Sequence, residues 1–223
     1  MTSAPRAEGQ PSKLCIDLGS GLGGASVAFK EAGWGVVSID LEAKFRPTIR
    51  ADYSHLPLRT DLRPEIVLAG LDCRCFSVAG LRFHWDKNQP LPHTKKAIRT
   101  TRRARKEIRR LRPRYGLIEN PVGKMRDERV LGKPDHTIRM ADFGSRFKKP
   151  TDLWEVGEER IPFPMLTETR DWLRSPSGAN VMRNLTGKHI KGTGGLGDYV
   201  RPPALRALWP PALSRYILEA VEA

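Results

Sequence analysis

Short apolar runs alternate with segments of helical periodicity through the first two thirds of the chain. The apolar runs predict strands at residues 13–18, 35–40, 65–70, 115–120 and 136–143. Residues 25–32, between the first two runs, predict a helix. Strands and helices that alternate in this way are typical of βα units. The pattern therefore predicts an α/β fold with a mainly parallel sheet and helices on both faces.

Two further helices and one irregular segment are predicted after residue 94. Small and apolar residues recur at helical spacing from Ala97 to Leu111, in a segment otherwise crowded with Lys and Arg. Pro210 and Pro211 introduce a closing helix, because proline is tolerated in a first helical turn. Between residues 155 and 200 the periodicity fails and a glycine-rich run appears at 192–197. We expect a small irregular subdomain in this segment.

The chain is strongly basic. Its 223 residues include 39 Lys and Arg against 25 Asp and Glu, a formal net charge of +14. A polyanion is the expected partner, and nucleic acid is the commonest one. No run approaches the roughly 20 apolar residues of a membrane span, and residues 1–12 lack the apolar core of a signal peptide. We expect a cytoplasmic protein with reduced cysteines, no membrane contact and no obligate protein partner.

A glycine-rich turn follows the first predicted strand. Its glycines, Gly19, Gly21 and Gly23, allow a cofactor to approach the backbone and the start of the next helix. Asp40 ends the second strand, where a carboxylate can accept hydrogen bonds from ribose hydroxyls. Asp17 precedes the glycines, and its negative charge suits the ammonium of S-adenosylmethionine better than the pyrophosphate of a nicotinamide dinucleotide. A turn that binds no ligand is the alternative interpretation.

Cys73 and Glu119 follow two different predicted strands. In an open α/β sheet such strand ends share one edge, where nucleophiles and acids commonly lie. Arg74 could favour the Cys73 thiolate, whereas Asp72 opposes it. The alternatives are a buried structural cysteine, or half of a metal site that scattered histidines would have to complete. No metal is expected.

The segment from Lys95 to Arg114 contains eleven basic residues and one acid. Like charges repel along a helix unless an anion neutralises them, which favours contact with phosphates over a merely solvated face. The residues expected to bind DNA are Arg102, Arg103, Arg109 and Arg110.

An ordered set of motifs resembles the cytosine-C5 DNA methyltransferases, particularly their short bacteriophage-like and prokaryotic members. The motifs are DLGSGLGG, SIDLE, RADYSHLP, LDCRCFS, IENPVG, DFGSRFKKPTDLW and a terminal PPALSRYI. The resemblance implies a Rossmann-like class I methyltransferase fold, S-adenosylmethionine as donor, and a flipped cytosine in double-stranded DNA as acceptor. It implies the cytoplasm of a prokaryotic or virus-infected cell as the place of action.

The resemblance also implies roles for individual residues. Cys73 matches the nucleophile and Glu119 the acid that protonates N3 of cytosine. Asp40 matches the acid that binds ribose, and Asp52 the acid that meets the adenine amino group. Lys149, with Arg146 and Lys148, stands loosely where the family has a basic catalytic pair.

Four positions depart from the family pattern. Gly19 stands where an aromatic residue usually packs on adenine, so Leu41 has to cover that face alone. Leu71 and Asp72 replace two prolines before the nucleophile, and Asp198 replaces an asparagine. These departures favour one alternative interpretation, a catalytically weak or inactive methyltransferase-like protein that binds DNA. An RNA cytosine methyltransferase and a nicotinamide-dependent oxidoreductase are less favoured.

The target base lies inside the DNA stack and has to be extruded before it can react. Residues 78–93 offer three bulky side chains to fill the gap, namely Phe83, His84 and Trp85, with a core position as their alternative role. The predicted organisation is a flexible N-terminus at 1–12, a cofactor-binding catalytic domain at 13–154, a small target-recognition segment at 155–200, and a C-terminal helix at 201–223.

Overall fold

The computed structural model describes residues 13–145, 149–163 and 209–223. Its strands are β1 (Leu14–Leu18), β2 (Gly35–Asp40), β3 (Ile49–Arg50), β4 (Ile66–Gly70), β5 (Trp85–Asp86), β6 (Gln89–Pro90), β7 (Tyr115–Pro121), β8 (His136–Arg139) and β9 (Pro150–Glu155). Its α-helices are α1 (Val27–Glu31), α2 (Leu81–His84), α3 (Pro92–Leu111) and α4 (Pro211–Glu222). Within these residues no helix is both long and apolar enough to cross a membrane.

Seven strands form one sheet in the order β3-β2-β1-β4-β7-β9-β8. The first five are parallel, whereas β9 runs antiparallel to both of its neighbours. The order reverses between β1 and β4, so their carboxyl ends flank a crevice of the kind in which α/β proteins bind ligands. β5 and β6 form a separate hairpin. The chain has an α/β Rossmann-like fold with a mainly parallel sheet, which confirms the predicted fold class.

Helices cover both faces of the sheet. Alternate residues of β1 point to opposite faces, so Cys15 joins a core cluster with α1 and α4, and Ile16 joins a second cluster with α3. α3 places Ile98, Ala104 and Ile108 in that second cluster and leaves its charged side in solvent. Full burial of a side chain as large as that of Ile108 contributes about 1.5–3 kcal/mol.

The end of one predicted strand of the sheet was misplaced, and another strand was missed. The strand predicted at 136–143 ends at Arg139, because Met140–Phe143 form a 3-10 helix that Gly144 terminates at a φ of 81°. β9 was not predicted at all. Its antiparallel direction brings its first residues beside the end of β7, where Thr151 pairs with Pro121. Lys149 therefore reaches the edge at which Glu119 lies.

α4 packs on α1 through a buried serine. The Ser214 hydroxyl donates to the carbonyl of Ala25 at 2.7 Å and accepts from the amide of Ala28 at 3.1 Å. Leu213 and Ile217 are fully buried beside it. The predicted N-terminal segment 1–12, the glycine-rich run 192–197, and Arg146, Lys148 and Asp198 lie outside the described residues. Most of segment 155–200 does as well, so the predicted domain division stays a prediction.

Candidate active site

The glycine-rich turn packs tightly against the end of β4. Gly19, Gly21 and Gly23 have φ values of 65°, 50° and 76°, which L side chains rarely adopt. A Cβ at Gly19 would lie 2.3 Å from the carbonyl oxygen of Gly70 and 3.8 Å from the ring of Tyr53. An aromatic residue at position 19 would not fit this backbone, so the departure from the family pattern has a steric cause. The Tyr53 ring lies beside this turn, a position that the sequence did not indicate.

Asp40 braces the turn from the end of β2. Its Oδ2 accepts from the amide of Gly21 at 2.9 Å, and its Oδ1 accepts from the amide of Glu42 at 2.8 Å. Each carboxylate oxygen keeps a second lone pair for a ribose hydroxyl. Leu41, the next residue, is 61% exposed, a high value for a large apolar side chain. Asp52 follows β3 and accepts from the amide of Ser54 at 2.8 Å.

Asp17 lies inside the turn rather than at its surface. It is 1% exposed, and its Oδ2 accepts from the Ser26 hydroxyl at 2.6 Å. Burial raises the pKa of Asp17 to about 6, with a further rise from the charge of Asp40, although the Ser26 hydrogen bond lowers it. The geometry thus gives Asp17 a bracing role, and its predicted contact with an ammonium group stays a prediction.

The turn and its surroundings fit S-adenosylmethionine. Gly21 and Gly23 are left-handed, and an added Cβ at either would meet no atom closer than 4.0 Å, so their backbone is open to close approach by a ligand. Asp40 stands at the end of β2, where it would hold the ribose, and the exposed Leu41 would cover the adenine. This turn follows β1, and the loop that carries Cys73 follows the neighbouring strand β4, so both lie at the point where the strand order reverses.

The Cys73 loop is clamped to the segment that follows β7. The Cys73 carbonyl accepts from the amides of Phe76 at 3.0 Å and Ser77 at 2.8 Å, which closes a tight turn. The Asn120 side-chain amide donates to the carbonyl of Leu71 at 2.9 Å. The carbonyl of Phe76 accepts from the amide of Lys124 at 2.7 Å. These contacts hold the thiol close to the end of β7.

Glu119 lies at the end of β7, buried between two donors. Its Oε1 accepts from Lys149 Nζ at 3.3 Å, and its Oε2 accepts from Trp209 Nε1 at 3.3 Å. Glu119, Lys149 and Trp209 are 4%, 8% and 4% exposed. The structure thus brings two predicted residues together. Trp209 was missed, since nothing in its sequence neighbourhood links it to a residue 90 positions earlier.

The two cysteines of the loop have different surroundings. The charges of Glu119 and Lys149 act on the Cys73 thiol, whereas Cys75 hydrogen-bonds Thr94 of α3. Burial and the Glu119 charge raise the pKa of Cys73, the Lys149 ammonium lowers it, and Asp72 raises it. Lys149 is thus the cation that favours the Cys73 thiolate.

Arg74, which was expected to favour the thiolate, is engaged chiefly with Asp72. The Arg74 guanidinium binds both oxygens of Asp72, at 2.6 Å to 3.0 Å. Burial raises the pKa of Asp72, but the hydrogen bonds and charge of Arg74 outweigh it and leave the pKa below its usual value. Because Arg74 is engaged chiefly with Asp72, its charge acts on Cys73 only after that pairing, and Lys149 is the main cation that lowers the pKa of Cys73.

The three bulky side chains at residues 83–85 have separate positions. Trp85 is 8% exposed in the core, and its Nε1 donates to the carbonyl of Cys75 at 2.8 Å. His84 Nδ1 lies 2.8 Å from Nε2 of His93. Phe83 is 58% exposed, with the Arg82 guanidinium 4.5 Å from its ring centre. Trp85 is therefore a core residue, and Phe83 is the bulky apolar side chain of the three that faces solvent. Among the described residues no group of three or more His, Cys, Asp or Glu could hold a metal ion.

α3 carries a basic stripe along one exposed face. Its members follow the spacing i, i+4, i+7, i+11 and i+14, and none of them has an acidic partner among the described residues. They are Lys95, Arg99, Arg102, Lys106 and Arg109. Arg110 is engaged elsewhere, since it pairs with Glu107 and donates to the carbonyl of Leu58 at 3.1 Å. Arg103 lies 3.4 Å from His55. The structure thus leaves Arg102 and Arg109 free and commits Arg110 to the fold.

No protein-family model and no curated protein matches the chain. Among solved structures, the chain is similar to a protein described as a DNA modification methyltransferase encoded within a prophage (E. coli), with 19% identity and a TM-score of 0.46. The match covers 66% of this chain and 47% of that protein, so this chain spans about half of its length. The aminoglycoside resistance methyltransferase NpmB1 matches at 16% identity and a TM-score of 0.34, over 90% of this chain and 85% of its own. Neither likeness carries an argument about activity.

Proposed function

We propose that this protein is a DNA cytosine-C5 methyltransferase that uses S-adenosylmethionine. The observation that carries the proposal is the grouping of Cys73, Glu119 and Lys149 at the edge of the sheet that also carries the glycine-rich turn. A thiol, a carboxyl group and an ammonium group in this arrangement suit nucleophilic addition to an electron-poor ring.

Cys73 is the nucleophile of the proposed reaction. Cytosine C5 reacts poorly by itself, so the thiolate first adds to C6, and a new S–C6 bond makes C5 nucleophilic. Lys149 favours the thiolate through its charge. S-adenosylmethionine, when bound, supplies an electrophilic methyl group. Loss of the C5 proton to solvent then expels the Cys73 thiolate, and return of the N3 proton to the Glu119 carboxylate restores the neutral ring.

Glu119 is the acid that donates a proton to N3 of the base. Negative charge accumulates on the ring when the thiolate adds, and a proton placed at N3 relieves it. Lys149 donates to Glu119 at 3.3 Å, so a proton that Glu119 passes to the base can be replaced from the ammonium group. The buried position of both side chains excludes water from this exchange.

The basic stripe of α3 is the proposed contact with the DNA backbone. α3 starts beside the Cys73 loop, where Thr94 contacts Cys75, and ends just before the amino end of β7. At 1.5 Å per residue the stripe is about 21 Å long, or roughly 6 base pairs of duplex. Phe83 is the proposed side chain that fills the gap left by the flipped base, since it is exposed and follows the Cys73 loop.

The decisive experiment is methyl transfer from labelled S-adenosylmethionine to mixed-sequence duplex DNA, followed by identification of the modified nucleoside. We expect labelled 5-methylcytosine. In a second arm the DNA contains 5-fluorocytosine, which blocks the final elimination and leaves the enzyme covalently attached. Wild-type protein and Cys75→Ser should form the adduct, Cys73→Ser should not, and Glu119→Gln should form it slowly. Adduct formation by Cys73→Ser would overturn the assignment of the nucleophile.

One observation favours a second candidate, an inactive protein that binds cofactor and DNA. Burial keeps the pKa of the Cys73 thiol above its usual value, with further rises from the Glu119 charge and then from the Asp72 charge. The same experiment separates the two, because DNA and cofactor binding without any labelled nucleoside would support the inactive protein. A parallel arm, with labelled S-adenosylmethionine and RNA in place of DNA, distinguishes an RNA methyltransferase.

A further inference from the structure

Trp209 links the closing helix to the buried acid. It directly precedes the two prolines that introduce α4, and its indole Nε1 donates to Oε2 of Glu119 at 3.3 Å. The other oxygen, Oε1, accepts from Lys149 at the same distance. A donor on each oxygen defines the plane of the carboxylate, which a single ion pair would leave free to rotate. The pair of contacts therefore specifies the orientation of Glu119.

The position of the indole is itself determined by rigid packing. Trp209 belongs to the same core cluster as Leu213 and Ile217, which are fully buried. The indole nitrogen lies against Gly70 at the end of β4, where an added Cβ would be 4.0 Å away. Ser214, one turn into α4, is bonded to the start of α1. One helix thus contacts both the helix after the glycine-rich turn and the acid of the candidate site.

We propose that Trp209 is a positioning residue, which orients the Glu119 carboxylate toward the N3 edge of the base. The inference rests on the proposed function, in which Glu119 is the acid. Precise orientation of an acid or base matters because small misplacements lower the rate steeply. Trp209 does not contact the base in this proposal and acts only through Glu119.

Trp34 offers a matched control. It belongs to the same core cluster, is 8% exposed, and its Nε1 donates to a carboxylate oxygen of Glu222 at 3.1 Å. Trp34→Phe and Trp209→Phe therefore remove the same chemical group and the same kind of hydrogen bond. They differ in whether the carboxylate that loses its donor is Glu119.

The first measurement is the indole N–H spectrum of the whole protein by two-dimensional NMR. Glu119→Gln should shift the Trp209 indole signal and leave that of Trp34 in place, and Glu222→Gln should do the reverse. A Trp209 signal that does not respond to Glu119→Gln would overturn the proposal without any reference to activity.

The second measurement is the rate of adduct formation with 5-fluorocytosine DNA. Trp209→Phe should lower it by about 10-fold, at the low end for loss of a partner that orients an active group, with little change in the KM for S-adenosylmethionine. Trp34→Phe should stay within about twofold of wild type. In the Glu119→Gln background, Trp209→Phe should have no further effect.

Three results would overturn the proposal. Equal effects of Trp209→Phe and Trp34→Phe would indicate a role in packing alone. A full additional loss in the Glu119→Gln background would show that Trp209 acts independently of the acid. Wild-type protein that forms no adduct would refute the proposed function, and with it the positioning role, while the NMR measurement would still decide whether the contact exists.

Discussion

Removing part of the basic stripe should weaken DNA binding in a way that salt reveals. Each cation that contacts a phosphate contributes about 0.9 to the slope of log affinity against log salt concentration. Changing Arg102, Lys106 and Arg109 to Gln removes three side chains that have no acidic partner among the described residues. The slope should therefore fall by about 2.7. Between about 50 mM and 200 mM salt, the affinity of the variant should then change about 40-fold less than that of wild type.

The assay is fluorescence anisotropy with a labelled duplex at several salt concentrations. The matched control removes the same net charge from three arginines that already pair with carboxylates, namely Arg112, Arg114 and Arg160. Because those arginines are engaged within the protein, we expect the control to change the slope by less than about one unit. Equal slopes in both variants would show that net charge, rather than the stripe, drives binding. A slope unchanged from wild type in the stripe variant would identify the stripe as a solvated face.

Three further predictions concern the candidate site. Gly19→Ala should lower the free energy of unfolding by more than about 2 kcal/mol in a denaturant titration, because a φ of 65° is unfavourable for alanine and its Cβ would lie 2.3 Å from a backbone oxygen. Gly33→Ala is the control: its φ is 79°, an added Cβ meets nothing within 4 Å, and the cost should be only about 1–2 kcal/mol. Burial raises the pKa of Asp17 to about 6. The stabilisation from the protonated carboxyl group is therefore full below about pH 4, and about 3 kcal/mol of it is lost as the pH rises through 6. Asp17→Asn should remove that loss, which free energies of unfolding measured at pH 4 and pH 7 would test. Lys149→Gln should raise the pKa of Cys73 further, so the pH midpoint of alkylation measured on the Cys73 peptide should move upward.

The glycine-rich turn and the Cys73 loop could be located from the sequence because their signals are local. A short apolar run followed by glycines encodes both the strand and the turn that ends it, and the structure has β1 and β2 almost at the predicted residues. The amphipathic pattern of α3 is also local, and its buried residues include Thr101, Ala104 and Ile108, as its spacing requires.

The partners of the charged side chains could not be predicted from local sequence signals. Arg74 was expected to favour the Cys73 thiolate, but it pairs with Asp72. Arg110 was expected to bind DNA, but it donates to carbonyls more than 50 positions earlier in the chain. A guanidinium takes whichever acceptor the fold brings within reach, and sequence spacing does not contain that distance.

The sequence by itself determined the parallel sheet, the turn at its edge and the identity of the reactive groups, because backbone pattern and side-chain chemistry are properties of short segments. Only the tertiary structure decided how those groups combine. The antiparallel β9 brings Lys149 to Glu119, and the closing helix brings Trp209 to the same carboxylate from 90 positions away. Such contacts depend on strand order and helix packing, which many distant residues stabilise together, and therefore no single segment encodes them.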